Sequence, residues 1–165
     1  NGPNVARGIN TPDEFGYETA IRYEDRNGKA LKNHYGFWGS RRFYDEFGNF
    51  SSTYFVDSLG NPAPHEIAAY TYAIYEWDKA GRNRISTKLL DKKKQAIAHK
   101  TRGYSIIRYQ YDEKDNLIKV SYFDVNGQLA NRLDNGVAYI AYDYDANGSR
   151  ISKQDFDHDG LEIQE

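Results

Sequence analysis

Two oxygen-rich strings stand near the end of the chain, Asp143-x-Asp145-x-Asn147-Gly148 and Asp155-x-Asp157-x-Asp159-Gly160. Carboxylate and amide oxygens at alternate positions ahead of a glycine are the opening of a loop that wraps a hard cation such as calcium. Such a loop closes with a bidentate glutamate at its twelfth position, which is Gln154 for the first string and falls past Glu165 for the second. Asp145 and Asp157 also occupy turn positions that recur in segments without the cluster. The expectation is structural turns, with no cofactor required. Calcium at Asp143, Asp145, Asn147, Asp155, Asp157 and Asp159 stays open as an accessory, not as a condition of folding. His34, His65 and His99 invite a zinc reading, but they stand in similar places of successive segments. Stacked hairpins carry equivalent atoms about 10 Å apart, whereas zinc ligands converge at about 2 Å. These histidines are expected to be register residues.

Aromatic side chains are the other chemistry-bearing set. Tyr35, Trp38, Tyr70 and Trp77 could form a platform on which sugar rings or an extended peptide stack. A second series is more regular: Tyr44, Trp77, Tyr111 and Tyr144, and two residues earlier Arg42, Tyr75, Tyr109 and Tyr142. On a strand these positions share a face, so they should build a ladder. With Glu76 and Gln110 on the opposite face, the ladder is expected to be core, which leaves binding to Tyr35 and Trp38. Lys92-Lys93-Lys94 reads as a solvated turn. No nucleophile elbow, phosphate-cradling glycine loop or metalloprotease helix is present, so no catalytic residue is assigned and the chain is expected not to be an enzyme.

The elements that must position these residues follow from a repeat. Asp45, Asp78, Asp112 and Asp145 are spaced 33, 34 and 33 residues apart, and Asp25, Asp57, Asp91, Asp124 and Asp157 keep nearly the same period. Counting back from Asp25 adds Asp13, in Asp13-Glu14-Phe15-Gly16, which repeats Asp45-Glu46-Phe47-Gly48. Asp at the first and Gly at the fourth position describe a β-turn. Alternation in Tyr109-Gln110-Tyr111 and Tyr142-Asp143-Tyr144 describes strands. Outgoing strands are expected over Ser51–Val56, Ile85–Leu89, Ile118–Phe123 and Ile151–Phe156. Connectors of about ten residues follow, each closed by Gly36, Ala69, Gly103 or Gly136, with no helix beyond a short turn at Pro64–Ala69. The fold class is all-β: five hairpin repeats of about 33 residues (4–35, 36–68, 69–102, 103–135 and 136–165) in one domain, forming a curved or twisted antiparallel sheet.

The hairpin strings Tyr109-Gln110-Tyr111-Asp112…Asn116-Leu117-Ile118 and Tyr142-Asp143-Tyr144-Asp145-Ala146-Asn147-Gly148 resemble the Tyr-Asp (YD) repeats of bacterial RHS-type surface and toxin proteins, here with longer connectors. The resemblance implies a structural or binding role in a bacterial envelope or secreted protein and transfers no catalytic residue. Composition bounds the rest. Twenty-two basic and 24 acidic residues give a net charge of −2, which argues against nucleic acid as partner. No apolar run is long enough for membrane insertion. The absence of cysteine excludes disulfides and thiolate chemistry, and the absence of methionine points to a processed or excised chain. Fourteen Gly and 15 Tyr suit an extracytoplasmic protein, whether periplasmic, cell-surface or secreted. The expected function is a non-enzymatic repeat module binding an extended protein or glycan. The alternative is a purely structural spacer or shell segment, and a carbohydrate-active enzyme is the weakest of the three.

Overall fold

The computed structural model describes residues 7–164. Among these the chain is all-β and contains no helix. Ten strands form five hairpins: β1 (Arg7–Pro12), β2 (Glu18–Glu24), β3 (Gly39–Tyr44), β4 (Phe50–Val56), β5 (Tyr72–Trp77), β6 (Arg84–Leu90), β7 (Ile106–Tyr111), β8 (Leu117–Phe123), β9 (Tyr139–Tyr144) and β10 (Arg150–Phe156). A two-residue β11 (Glu162–Ile163) follows. They make one open sheet in which strand order is sequence order. The chain divides into two compact units. The first runs to Ile74 and includes Leu90–Gln95; the second comprises Tyr75–Leu89 and everything from Ala96 onward.

The turns of both aspartate columns are built the same way, except that the one at Asp78 is a residue longer and closes on the Asn83 carbonyl. At Asp45 the side-chain Oδ1 accepts the backbone N–H groups of Phe47 (3.0 Å) and Asn49 (2.8 Å). The Gly48 N–H donates to the Asp45 carbonyl (3.0 Å), and the Asp45 N–H to the Asn49 carbonyl (2.9 Å). Identical bonding recurs at Asp57, Asp112 and Asp157. The fourth residue takes the left-handed conformation, φ 80° at Gly48, because a type I turn returns its strand in register only through such a residue. The cost of that geometry is a register shift between Phe43 and Tyr44, so that Tyr44 pairs with Phe50. This pairing starts each outgoing strand one residue before the expected position, at Phe50, Arg84, Leu117 and Arg150. Lys94 (φ 63°) and Asp115 (φ 64°) occupy the glycine position without glycine, yet keep the turn bond at 3.0 and 3.1 Å. The lysine run therefore replaces the residue and not the turn.

The expected closing column of the connectors is real. Gly36, Ala69, Gly103 and Gly136 all have φ between 71° and 84°. Each ends a one-turn loop whose first residue is Asn33, His65, His99 or Arg132. The turn at Pro64–Ala69 belongs to this column, with the Ala69 N–H donating to the His65 carbonyl at 2.7 Å. His34 does not belong to it. The residue in register with His65 and His99 is Asn33, which is buried, while His34 beside it is exposed. One-residue variation in connector length misaligned the histidines in the sequence.

Packing is thin. In the first unit the buried apolar set is Ala20, Val56, Ala68 and Ala73, and in the second Leu89, Tyr104, Val120, Tyr122, Val137 and Ala138. Aromatic rings pack strands against connectors: in the first unit Tyr23–Phe37–Phe55–Tyr70 at 5.7, 4.7 and 5.4 Å between centroids, and in the second Tyr104–Tyr122 at 5.2 Å. The expected ladder is half-buried, not fully core. Three of its hydroxyls reach back to the preceding hairpin. Tyr44 donates to the Glu18 carbonyl (2.8 Å), Tyr111 to Arg84 (3.1 Å) and Tyr144 to Leu117 (2.9 Å). Each acceptor is the first residue of an outgoing strand, so each tyrosine ties its own hairpin to the one before.

Candidate functional site

The acidic strings serve the turns. Asp145 Oδ1 accepts the N–H groups of Asn147 and Ser149, both at 2.9 Å, and Asp157 Oδ1 those of Asp159 and Leu161. Asp143 accepts the Ser152 hydroxyl at 2.6 Å, and Asp155 pairs with Lys153 at 2.9 Å. Among the described residues no group of three or more acidic or histidine side chains is gathered to hold a metal ion. Electrostatics elsewhere in the turns agree with structural use. The Asn61 N–H holds Asp57 below the ordinary carboxylate range, the Arg82 N–H does so for Asp78, and the Asn116 side-chain amide for Asp112. His65 is buried against Phe37, Phe55 and Tyr70, and its Nδ1 accepts the N–H groups of Ile67 and Ala68, both at 3.2 Å. Burial lowers its pKa, with Glu66 opposing weakly.

Of the four aromatic residues expected to bind, Tyr35, Trp38 and Tyr70 belong to the first unit and Trp77 to the second. Tyr35 is exposed and stacks on Phe37 at 6.5 Å, at the edge of the cluster that contains Tyr70. Trp77 lies half-buried in the second unit. Trp38 is placed differently from both. The residues in its register are Thr71, Ser105 and Ala138, all fully buried, and its neighbour Gly39 stands where the others have Tyr72, Ile106 and Tyr139. The second hairpin thus inverts the small–large order. A Cβ at Gly39 would meet the Ile21 carbonyl oxygen at 2.3 Å, so no larger residue fits there. Trp38 instead lines a cavity of about 300 Å³ with Ile9, Ala20, Arg22, Arg41 and Val56.

A larger concavity of about 520 Å³ opens in the same unit, lined by Phe15, Tyr17, Phe43, Tyr44 and Tyr54 with Arg41 and Arg42. Arg41 and Gly60 line both spaces, so the two meet there as one trough. Its rings are ordered against each other, Tyr17 on Tyr44 at 4.8 Å and Phe43 on Tyr54 at 5.9 Å, both nearly parallel. Phe15 is 78% and Phe43 48% exposed. Sequence reasoning assigned none of these rings to binding, although one signal was available. Phe43 stands two residues before its turn aspartate, where the other hairpins carry Glu76, Gln110 and Asp143. A phenyl group in a water-facing polar column is an exposed ring by design of the repeat.

No protein-family model and no curated protein matches the chain. Among solved structures it is similar to chains in two crystal structures. In that of TcdB2-TccC3-TEV the identity is 14% and the TM-score 0.41, over 89% of this chain and 7% of the other. In that of TcdB2-TccC3-Cdc42 the values are 13% and 0.40, over 90% and 7%. The chain thus spans a small part of the length of these structures.

Proposed function

We propose that the chain is a non-enzymatic repeat module of a secreted or surface bacterial protein that binds an extended protein or glycan in the trough of the first unit. The observation that carries this is the pair of concavities joined at Arg41, with exposed, mutually stacked rings along one of them. Concave, ring-lined surface with a few polar groups is the usual form of a ligand site. The non-enzymatic part of the reading is supported by the carboxylates in both aspartate columns, which accept turn N–H groups and point to structural duty. The extracytoplasmic assignment rests on the composition. Screening the protein on an array of neutral oligosaccharides, acidic oligosaccharides and extended peptides tests the proposal, with Phe43→Ala as control. Binding lost in the variant at an unchanged thermal midpoint supports it. Binding that is indifferent to Phe43→Ala, or none on any surface, contradicts it.

The second reading, a spacer, is favoured by the hydroxyls of Tyr44, Tyr111 and Tyr144, which are spent on backbone carbonyls. It accounts for the ladder but not for Phe15 and Phe43.

A further inference from the structure

We infer that the trough selects an oligosaccharide that carries a carboxylate, and that Arg41 is the group that reads the charge; this rests on the binding reading above and names its ligand class. The charges lining the two concavities are Arg22, Arg41, Arg42, Asp13, Asp45 and Asp57. Five of them are committed. Arg22 pairs with the buried Glu24, and Arg42 pairs with Glu18. Asp13, Asp45 and Asp57 each accept two backbone N–H groups through Oδ1, which fixes each carboxylate in its turn while it keeps its negative charge. Arg41 is exposed, and its guanidinium has no ion-pair or hydrogen-bond partner among the described residues. It stands where the Trp38 cavity and the ring-lined groove meet, so a ligand lying across both would present its middle to an unpaired cation.

A guanidinium fork matches a carboxylate with two parallel hydrogen bonds, and it gains more when the surrounding surface is apolar. The rings on either side offer flat faces for the C–H faces of sugar rings. A peptide is less well served. Its strongest general gain is main-chain pairing with an open strand edge, and β3, which carries Arg41, is paired on both sides, to β2 and to β4. A nucleic acid needs a run of cations, and each concavity offers few. The second unit repeats the arrangement independently. Arg108 stands four residues before its turn aspartate, as Arg41 does. It lies over the Phe123 ring at 4.5 Å and lines a cavity of about 380 Å³ with Tyr109 and Lys119. Ile74 in β5 and Ala141 in β9 fill that position in two other hairpins, so the arginine belongs to the concavities and not to the repeat.

The test uses the whole chain with ¹⁵N-labelled tryptophan, so that the Trp38 indole resonance reports the trough alone. The probes are hexagalacturonate and its fully methyl-esterified form, which has the same rings without the charges. Expected is saturable movement of the Trp38 signal with the acid, weaker binding of the ester by about tenfold or more, and loss of that preference in Arg41→Gln. Arg41→Lys, which keeps the charge but not the fork, should recover part of it. Equal affinity for acid and ester, unchanged by Arg41→Gln, overturns the role of Arg41 and leaves the binding reading standing. No movement with either sugar overturns the ligand class, and movement with hexaglutamate alone assigns the trough to an acidic peptide instead. Circular dichroism and the thermal midpoint of Arg41→Gln, expected to match the parent, separate lost recognition from lost folding.

Discussion

Single residues in this chain have duties that their repeat column defines. The tyrosine before a turn aspartate is a tie between hairpins, because its hydroxyl donates to a backbone carbonyl some 27 positions earlier. Tyr111→Phe keeps the ring and removes that bond, leaving the Arg84 carbonyl without it. The expected loss is about 1 kcal/mol, read as a lower urea midpoint with unchanged slope. Lys94 bears the opposite kind of cost, a side chain held at φ 63°. Lys94→Gly relieves the left-handed strain of about 1–2 kcal/mol and gives part of it back as unfolded-chain entropy, so a net gain of up to about 1 kcal/mol is expected. A fall in the urea midpoint of Lys94→Gly would show that the Lys94 ammonium over the Tyr72 ring, 5.8 Å from its centroid, outweighs the strain.

At the scale of the element, the connectors are where the repeat is most sensitive. Gly60 and Gly103 share a left-handed backbone, but a Cβ at Gly60 meets nothing within 4 Å, whereas one at Gly103 lies 2.7 Å from Leu133 Cγ. Gly60→Ala should therefore cost about 1 kcal/mol, and Gly103→Ala more, about 2–3 kcal/mol, in urea melts. The His65 connector adds a pH dependence. Its imidazole is neutral as an acceptor for two N–H groups, and burial depresses its folded pKa below the unfolded value of about 6.5. Above that value both states are neutral and the connector keeps its full stability. As pH falls from about 6.5 toward the folded pKa, the unfolded chain takes up a proton that the folded one resists, and stability is lost. Urea midpoints at pH 7.5 and 5.0 should differ, and His65→Asn, which caps the turn as Asn33 does, should shrink the difference. Elements were largely legible in the sequence, because aspartate and left-handed columns leave a period that needs no tertiary information. The turn at Asp45, the closing residues Gly36, Ala69, Gly103 and Gly136, and the outgoing strands could all be read from it. The trough was not, since Phe15 and Tyr17 come from one turn and Phe43 and Tyr54 from two strands that only the register brings together. The sequence shows the type of Trp38; what makes it unusual is the exchange with Gly39, which shows only when the hairpins are aligned.

For the molecule as a whole, two properties follow from how the turns and the trough are built. Turns whose aspartates already hold two N–H groups should not depend on a cation, so melts with and without EDTA are expected to coincide; a large drop in EDTA would place calcium in the strings at Asp143–Asn147 or Asp155–Asp159. The central claim is that the first unit is a ligand site and the repeat its scaffold. Hydrogen exchange of the whole chain, with and without hexagalacturonate, tests it most directly. Slowed exchange is expected in residues 13–19, 38–44 and 54–60, with little change elsewhere in the first unit. Protection spread evenly over all hairpins, or confined to segments outside that trough, would contradict it.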